Sequence, residues 1–246
     1  MIQDVDGRRV EARWWGERSG TTLVLLHEGL GCVDLWRDFP ERLAAATGCA
    51  VFAWSRPGYG RSSPVELPRP LDYMQRAAAR DVVPLLDAAG VGRCVLVGHS
   101  DGASIAALVD DPRVVGKVLI APHFFVEEMA VAAIAQARDA YRSGTLRERM
   151  ARYHDHVDVA FEGWNGAWLD PGFRAWDIRA AARAWPGPVL QIQGLDDPYG
   201  TPAQTAVLSG PLVTTHLLPA RHAPHLEASE ETMAAIVGWL GGLVQV

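Results

Sequence analysis

Three cysteines in 246 residues, Cys32, Cys49 and Cys94, are too few for a disulfide framework. Their spacing fits no metal site and their odd number reads as reduced thiols. Long hydrophobic runs are also missing. Stretches such as Thr21 to Leu26 fall far short of the roughly 18 residues a membrane span needs. There is no basic excess: 23 Lys plus Arg stand against 29 Asp plus Glu, a net charge of −6. That balance withholds the electrostatic footprint of a nucleic-acid binder, and no run of like charge suggests a membrane-surface patch. The opening Met1-Ile2-Gln3-Asp4-Val5-Asp6 is acidic with no apolar segment behind it, so no secretory leader is expected. Repeats and low-complexity segments are absent too. The expectation is a cytoplasmic globular protein that meets a small molecule, without nucleic acid or membrane as partner. Nothing sets an oligomeric state.

What is present is an ordinary apolar share, 49%, in a length that allows one large domain or one domain with an insert. Nine tryptophans stand out, five of them between Trp164 and Trp239. Short apolar runs alternate with helical patterns. Strands are expected at Arg8–Trp15, Thr21–Leu26, Ala50–Trp54, Cys94–Val97, Val114–Ile120, Val189–Ile192 and Thr214–Leu218. Helices are expected at Asp34–Thr47, with Asp34 as N-cap and Gly48 as stop, and at Leu71–Ala89, interrupted by Pro84. Two more are expected at Ala103–Val109 and from about Ser229 to Leu240. Such alternation predicts an α/β protein with a doubly wound, mostly parallel sheet. The rhythm breaks between about Phe124 and Pro186, where Ala, Arg and Trp recur at helical spacing. We expect a core of residues 1–122 and 187–246 and a helical cap over 123–186.

Gly98-His99-Ser100-Asp101-Gly102 follows the strand Cys94–Val97 and precedes the helix Ala103–Val109. This G-x-S-x-G pattern in a strand–turn–helix setting lifts a serine hydroxyl above the sheet on a turn too tight for a Cβ two residues either side. With these residues the chain resembles the α/β-hydrolase family over nearly its whole length. The resemblance implies a serine nucleophile, Ser100, followed in chain order by an acid and a histidine. The family's acid loop corresponds to Gly194-Leu195-Asp196-Asp197-Pro198, which selects Asp197, with Asp196 as competitor. Leu218-Pro219-Ala220-Arg221-His222-Ala223-Pro224-His225 resembles the family's histidine loop, with Arg221 where Gly is usual. It points to His222 as base, with His225 as competitor one turn later. The backbone N–H groups of Asp101 and Gly29 are the expected oxyanion donors. Glu28 departs from the family's usual His-Gly at this point, and it either anchors its own loop or faces the pocket. Arg56-Pro57-Gly58-Tyr59-Gly60-Arg61-Ser62 matches a turn that braces the site in relatives.

The remaining expectations concern substrate. Trp36, His123, Phe124, Trp164 and Trp168 are candidate pocket residues beside Glu28, and the tryptophan-rich insert predicts an aromatic lid over Ser100 favouring a compact apolar or aromatic acyl group. No cofactor or metal is implied. His27-Glu28 lacks the second histidine of a zinc motif, and the cluster Tyr153 to Asp158 reads as a solvated cap helix. The function implied is hydrolysis of a small carboxylic ester or lactone through a Ser-His-Asp triad and an acyl-enzyme. The alternatives are a carbon–carbon hydrolase of ring-cleavage dienoates and a non-catalytic binding protein on the same fold.

Overall fold

A computed structural model describes residues 1–243. The chain opens on β1 (Ile2–Val5) and β2 (Arg8–Trp15), followed by β3 (Thr22–Leu26), α1 (Phe39–Thr47) and β4 (Ala50–Trp54). Helices α2 (Tyr73–Ala77) and α3 (Val83–Ala88) lead to β5 (Cys94–His99), α4 (Asp101–Leu108) and β6 (Val114–Ile120). Four α-helices then intervene before the next strand: α5 (Glu128–Arg142), α6 (Thr145–Met150), α7 (Val157–Leu169) and α8 (Arg179–Arg183). The chain returns through β7 (Val189–Gly194) and β8 (Val213–Leu218), then α9 (Pro224–Glu227) and α10 (Ser229–Leu243).

The sheet order is β1-β2-β4-β3-β5-β6-β7-β8, antiparallel at β1, β2 and β4 and parallel from there to β8. Every residue of β3, β4 and β5 is buried, because helices cover both faces and alternate side chains enter two separate cores. Val24, Phe52 and Leu96 enter one core and Leu23, Val51 and Val95 the other. Strands β3, β5 and β7 end together at the C-terminal edge, so the loops that follow them converge there. No helix among the described residues is long and apolar enough to cross a membrane.

The first strand pairing, β1 with β2, was not expected: four residues of β1 alternate too briefly to register as a pattern. The helix expected over Asp34–Thr47 is broken. A 3₁₀ turn at Val33–Trp36 is followed by Arg37 at φ 55°, and α1 starts only at Phe39. Asp34 caps nothing and instead pairs with Arg13 at 2.9 Å, while Gly48 ends α1 at φ 69° as expected. The break over Leu71–Ala89 is a π turn at Ala78–Val82, just before Pro84. Proline has no N–H for the Arg80 carbonyl four residues back, and Arg8 Nη2 donates to that carbonyl at 3.3 Å.

Below the sheet's C-terminal edge, Lys117 of β6 is 1% exposed. Its ammonium donates to the carbonyls of Ala107 at 3.0 Å and Val109 at 2.8 Å, where α4 ends, and lies 3.9 Å from the Trp185 ring centroid. Burial pushes this lysine down to about 7 against a weaker pull from Asp110. Below that pH both folded and unfolded chains carry the charge, and its burial cost is fully present. Above it the folded chain sheds the proton first, so stability rises until the unfolded lysine titrates at about 10.4. In urea unfolding, the native protein is expected to gain about 1 kcal/mol per pH unit over Lys117→Met between pH 7.5 and 9.5. Parallel stability curves would refute it.

Candidate active site

Ser100 sits between β5 and α4 at φ 54°, ψ −120°, a conformation that a serine adopts only where its surroundings enforce it. The turn is sealed by its glycines. A Cβ on Gly98 would lie 2.3 Å from the Gly102 carbonyl, and one on Gly102 would lie 2.0 Å from the Leu26 carbonyl. The hydroxyl so raised is 2.9 Å from His222 Nε2. On the other side of that ring, Nδ1 is 2.8 and 2.9 Å from the two carboxylate oxygens of Asp197. A carboxylate accepts only, so Nδ1 carries the proton and Nε2 is left to accept from Ser100.

Asp197 is 5% exposed and also accepts from the Tyr199 N–H and Gln193 Nε2, each at 2.8 Å. Burial alone would raise this acid. The bonds from His222, Tyr199 and Gln193 outweigh it and hold the group below the usual carboxylate range. The loops after β7 and β8 touch through backbone: a Cβ on Gly194 would lie 1.9 Å from the Arg221 carbonyl. His99 Nε2–H donates to the His222 carbonyl at 2.7 Å, pinning the histidine loop from β5. Asp196 is exposed. His225 is buried and packs on Trp36, Phe39 and His99, so neither competitor reaches Ser100.

A cavity of about 100 Å³ opens on Ser100 and His222. Gly29 and Asp101, whose N–H groups were the expected oxyanion donors, both border it, as do Glu28 and Leu30 of the same loop. That loop is braced by Arg56, whose N–H donates to His27 Nε2 at 3.0 Å and whose Nη2 donates to the Glu28 carbonyl at 2.8 Å. The Glu28 carboxylate folds over Gly31 and lies 3.5 Å from His99 Nδ1. Burial would raise it, but His99 and His27 hold it well below the usual carboxylate range. The Asp101 side chain accepts from Tyr73 Oη at 2.6 Å and from Trp168 Nε1 at 3.3 Å.

The model of the alpha/beta hydrolase family matches residues 23–235. The chain belongs to the alpha/beta hydrolase family. A relative from Variovorax paradoxus, named "Putative carbamate hydrolase RutD", is 31% identical and aligns over 85% of this chain and 86% of its own length. The enol-lactonase structure from Burkholderia xenovorans LB400 superposes with a TM-score of 0.77 at 22% identity, covering 98% of this chain and 100% of that one. A thermophilic esterase from Thermogutta terrifontis does so at 0.73 and 19%, covering 99% and 98%. At such identities the two structures show the shared fold alone.

In this α/β hydrolase the helices between β6 and β7 roof the cavity. Trp164 and Trp168 come from α7 and Ile134 from α5, and His123 stands at the exit of β6. Burial, and then His222, push the His123 imidazole down to about 3, so it faces the cavity neutral. Two expected pocket residues lie elsewhere. Trp36 is 2% exposed and packs on Phe39 and His225 beneath the loop, and Phe124 is fully buried in the core. Leu30, Ile134 and Tyr199 border the cavity unforeseen. Tyr199 had a signal, standing two residues past Asp197, and its ring lies 4.6 Å from that of His222. Ile134 had none, since helix periodicity does not say which α5 face meets the site.

The Tyr153–Asp158 cluster also differs from expectation. His154 lies in the loop between α6 and α7, not on a solvated helix, and is 4% exposed. Gly60 N–H donates to its Nδ1 at 2.9 Å, and its Nε2–H donates to the Leu30 carbonyl at 3.0 Å. Both ring nitrogens are thereby spent on tying the α6–α7 loop to the loops after β3 and β4, leaving none for a metal.

Proposed function

We propose that this α/β hydrolase cleaves a small, uncharged or cationic carboxylic ester or lactone through an acyl-enzyme. The observation that carries the reading is the Ser100–His222–Asp197 relay, at 2.9 and 2.8 Å, facing a cavity of about 100 Å³. His222 takes the Ser100 proton as Oγ attacks the carbonyl, then gives it to the leaving alcohol. The Gly29 and Asp101 N–H groups hold the oxyanion. Water then repeats the sequence on the acyl-enzyme. A carbamate hydrolase by name among the relatives supports a small carbonyl substrate of this kind. The free thiols Cys32, Cys49 and Cys94, two of them pushed by burial up to about 12, support a reducing, cytoplasmic setting.

Pockets for drug-sized ligands run to about 300–1,000 Å³, so a cavity this small favours short acyl groups. Charge argues against the dienoate alternative. Glu28 borders the cavity and, among the described residues, no Lys or Arg does, so a substrate carboxylate would be buried without a counter-cation. We expect kcat/KM for p-nitrophenyl acetate and butyrate to exceed that for the decanoate by at least about tenfold, with a simple lactone turned over and a ring-fission dienoate not. Preference for the dienoate would overturn the reading. Failure of a fluorophosphonate to label the protein would favour a binding role.

A further inference from the structure

The tryptophans differ in what their indole N–H groups do. Trp168 Nε1–H is spent on Tyr73 Oη at 3.1 Å and on Asp101, and Trp176 Nε1–H on Gln75 Oε1 at 3.3 Å. Those of Trp14, Trp36, Trp54 and Trp185 are sealed off from solvent with no partner on the chain. Trp15, Trp239 and Trp164 fall in neither group, and Trp164 is the buried one of the three. It borders the catalytic cavity, and its Nε1 has no partner on the chain among the described residues yet is not among the sealed nitrogens. Its position is set by the oxyanion loop: a Cβ on Gly29 would lie 2.1 Å from Trp164 Nε1 and 2.3 Å from its Cδ1. The five-membered ring of the indole, which carries the N–H, is therefore the part packed against Gly29.

Contacts on two sides fix this placement. Helix α7 is held to α5 by Asn165 Nδ2, which donates to the Ile134 carbonyl at 3.0 Å. It meets the core at Gly163, where a Cβ would lie 2.5 Å from Arg69 Nε, and Arg69 itself donates to the Pro57 carbonyl at 3.0 Å. An indole N–H donates and never accepts, so whatever it meets in the cavity must be an acceptor.

We propose that Trp164 supplies a third donor to the oxyanion, beside the Gly29 and Asp101 N–H groups; the inference rests on the acyl-transfer reading above. As the Ser100 Oγ–carbon bond forms, the carbonyl π pair moves onto oxygen and the Ser100 proton onto His222 Nε2. The new negative charge develops beside Gly29, where the indole N–H is. The donor comes from the helical insertion, so the insertion takes part in the chemistry besides covering it.

Trp164→Phe keeps an aromatic ring and removes the donor. A hydrogen bond to a charged group is worth enough that kcat on p-nitrophenyl acetate is expected to fall about 10- to 100-fold, with KM within a factor of about two. Because the smaller ring could also loosen the fold, the unaltered protein supplies a second readout. With ¹⁵N-labelled tryptophan, the Trp164 indole resonance is expected to move downfield when a trifluoromethyl ketone forms its hemiketal on Ser100. A kcat kept within twofold in Trp164→Phe, or an indole resonance unmoved with the ketone bound, would overturn the third donor. Neither outcome touches the acyl-transfer reading, which fails instead if Ser100→Ala keeps its activity or the ketone does not bind.

Discussion

Ser100→Ala and His222→Ala are each expected to lower kcat on short p-nitrophenyl esters by about 10⁵- to 10⁶-fold, and the double variant by no more than either alone. The two side chains act as one unit. The hydroxyl is a poor nucleophile without a proton acceptor at 2.9 Å, and the imidazole has no proton to pass on without the hydroxyl. What remains in each variant is binding and the oxyanion donors, which still exceed water by about 10³–10⁴. Neither change is expected to unfold the protein. Ser100 is 6% exposed at the cavity floor, and its strained backbone is imposed by Gly98 and Gly102, which the substitution leaves in place. Stopped assays at high enzyme concentration, with circular dichroism as the check on folding, decide the matter. A Ser100→Ala protein with a tenth of the native rate would show that the reaction runs elsewhere.

The parallel strands could be read in the sequence because burial on both faces demands unbroken apolar runs: Thr22–Leu26, Ala50–Trp54 and Cys94–Val97 are such runs and are buried throughout. Elements whose form depends on distant partners could not. The gap between Trp36 and Phe39 follows from how the loop after β3 must leave the strand and cross Ser55, whose Oγ accepts from the Val33 N–H at 2.9 Å. The Arg80 carbonyl left over by Pro84 finds Arg8, 72 residues away.

The same division runs through the site. Ser100, Asp197 and His222 lie in loops at strand ends, where short motifs carry the geometry, and the structure brings them within hydrogen-bond reach. The cavity walls are contributed by helices whose rotation is set by packing. Trp164 and Trp168 recur at i and i+4 on α7 and share a face, yet Trp36 and Phe124 offered an equal aromatic signal and are core. His154 shows the reverse case. A polar run suggested solvent, but a backbone donor on Gly60 and a backbone acceptor on Leu30 fit an imidazole between them.

Asp197→Asn is expected to cost about 10⁴ in kcat while leaving KM and folding nearly unchanged. The carboxylate now takes three kinds of donor at once: His222 Nδ1–H, the Tyr199 N–H and Gln193 Nε2–H. An amide presents one oxygen and one NH₂ to the same three. If its oxygen keeps the Tyr199 N–H, its NH₂ faces His222 and drives the ring to the tautomer with the proton on Nε2, which cannot accept from Ser100. If its oxygen takes the other place, it keeps Gln193 and His222, and the NH₂ confronts the Tyr199 N–H. Either way the imidazolium formed during attack loses the negative charge that stabilises it. Asp196→Asn, an exposed change one residue away, is the internal control and is expected to stay within about twofold of native, as surface substitutions do. If the two variants swapped these outcomes, Asp196 would be the acid, and the pairing of Asp197 with His222 would play no part in the reaction.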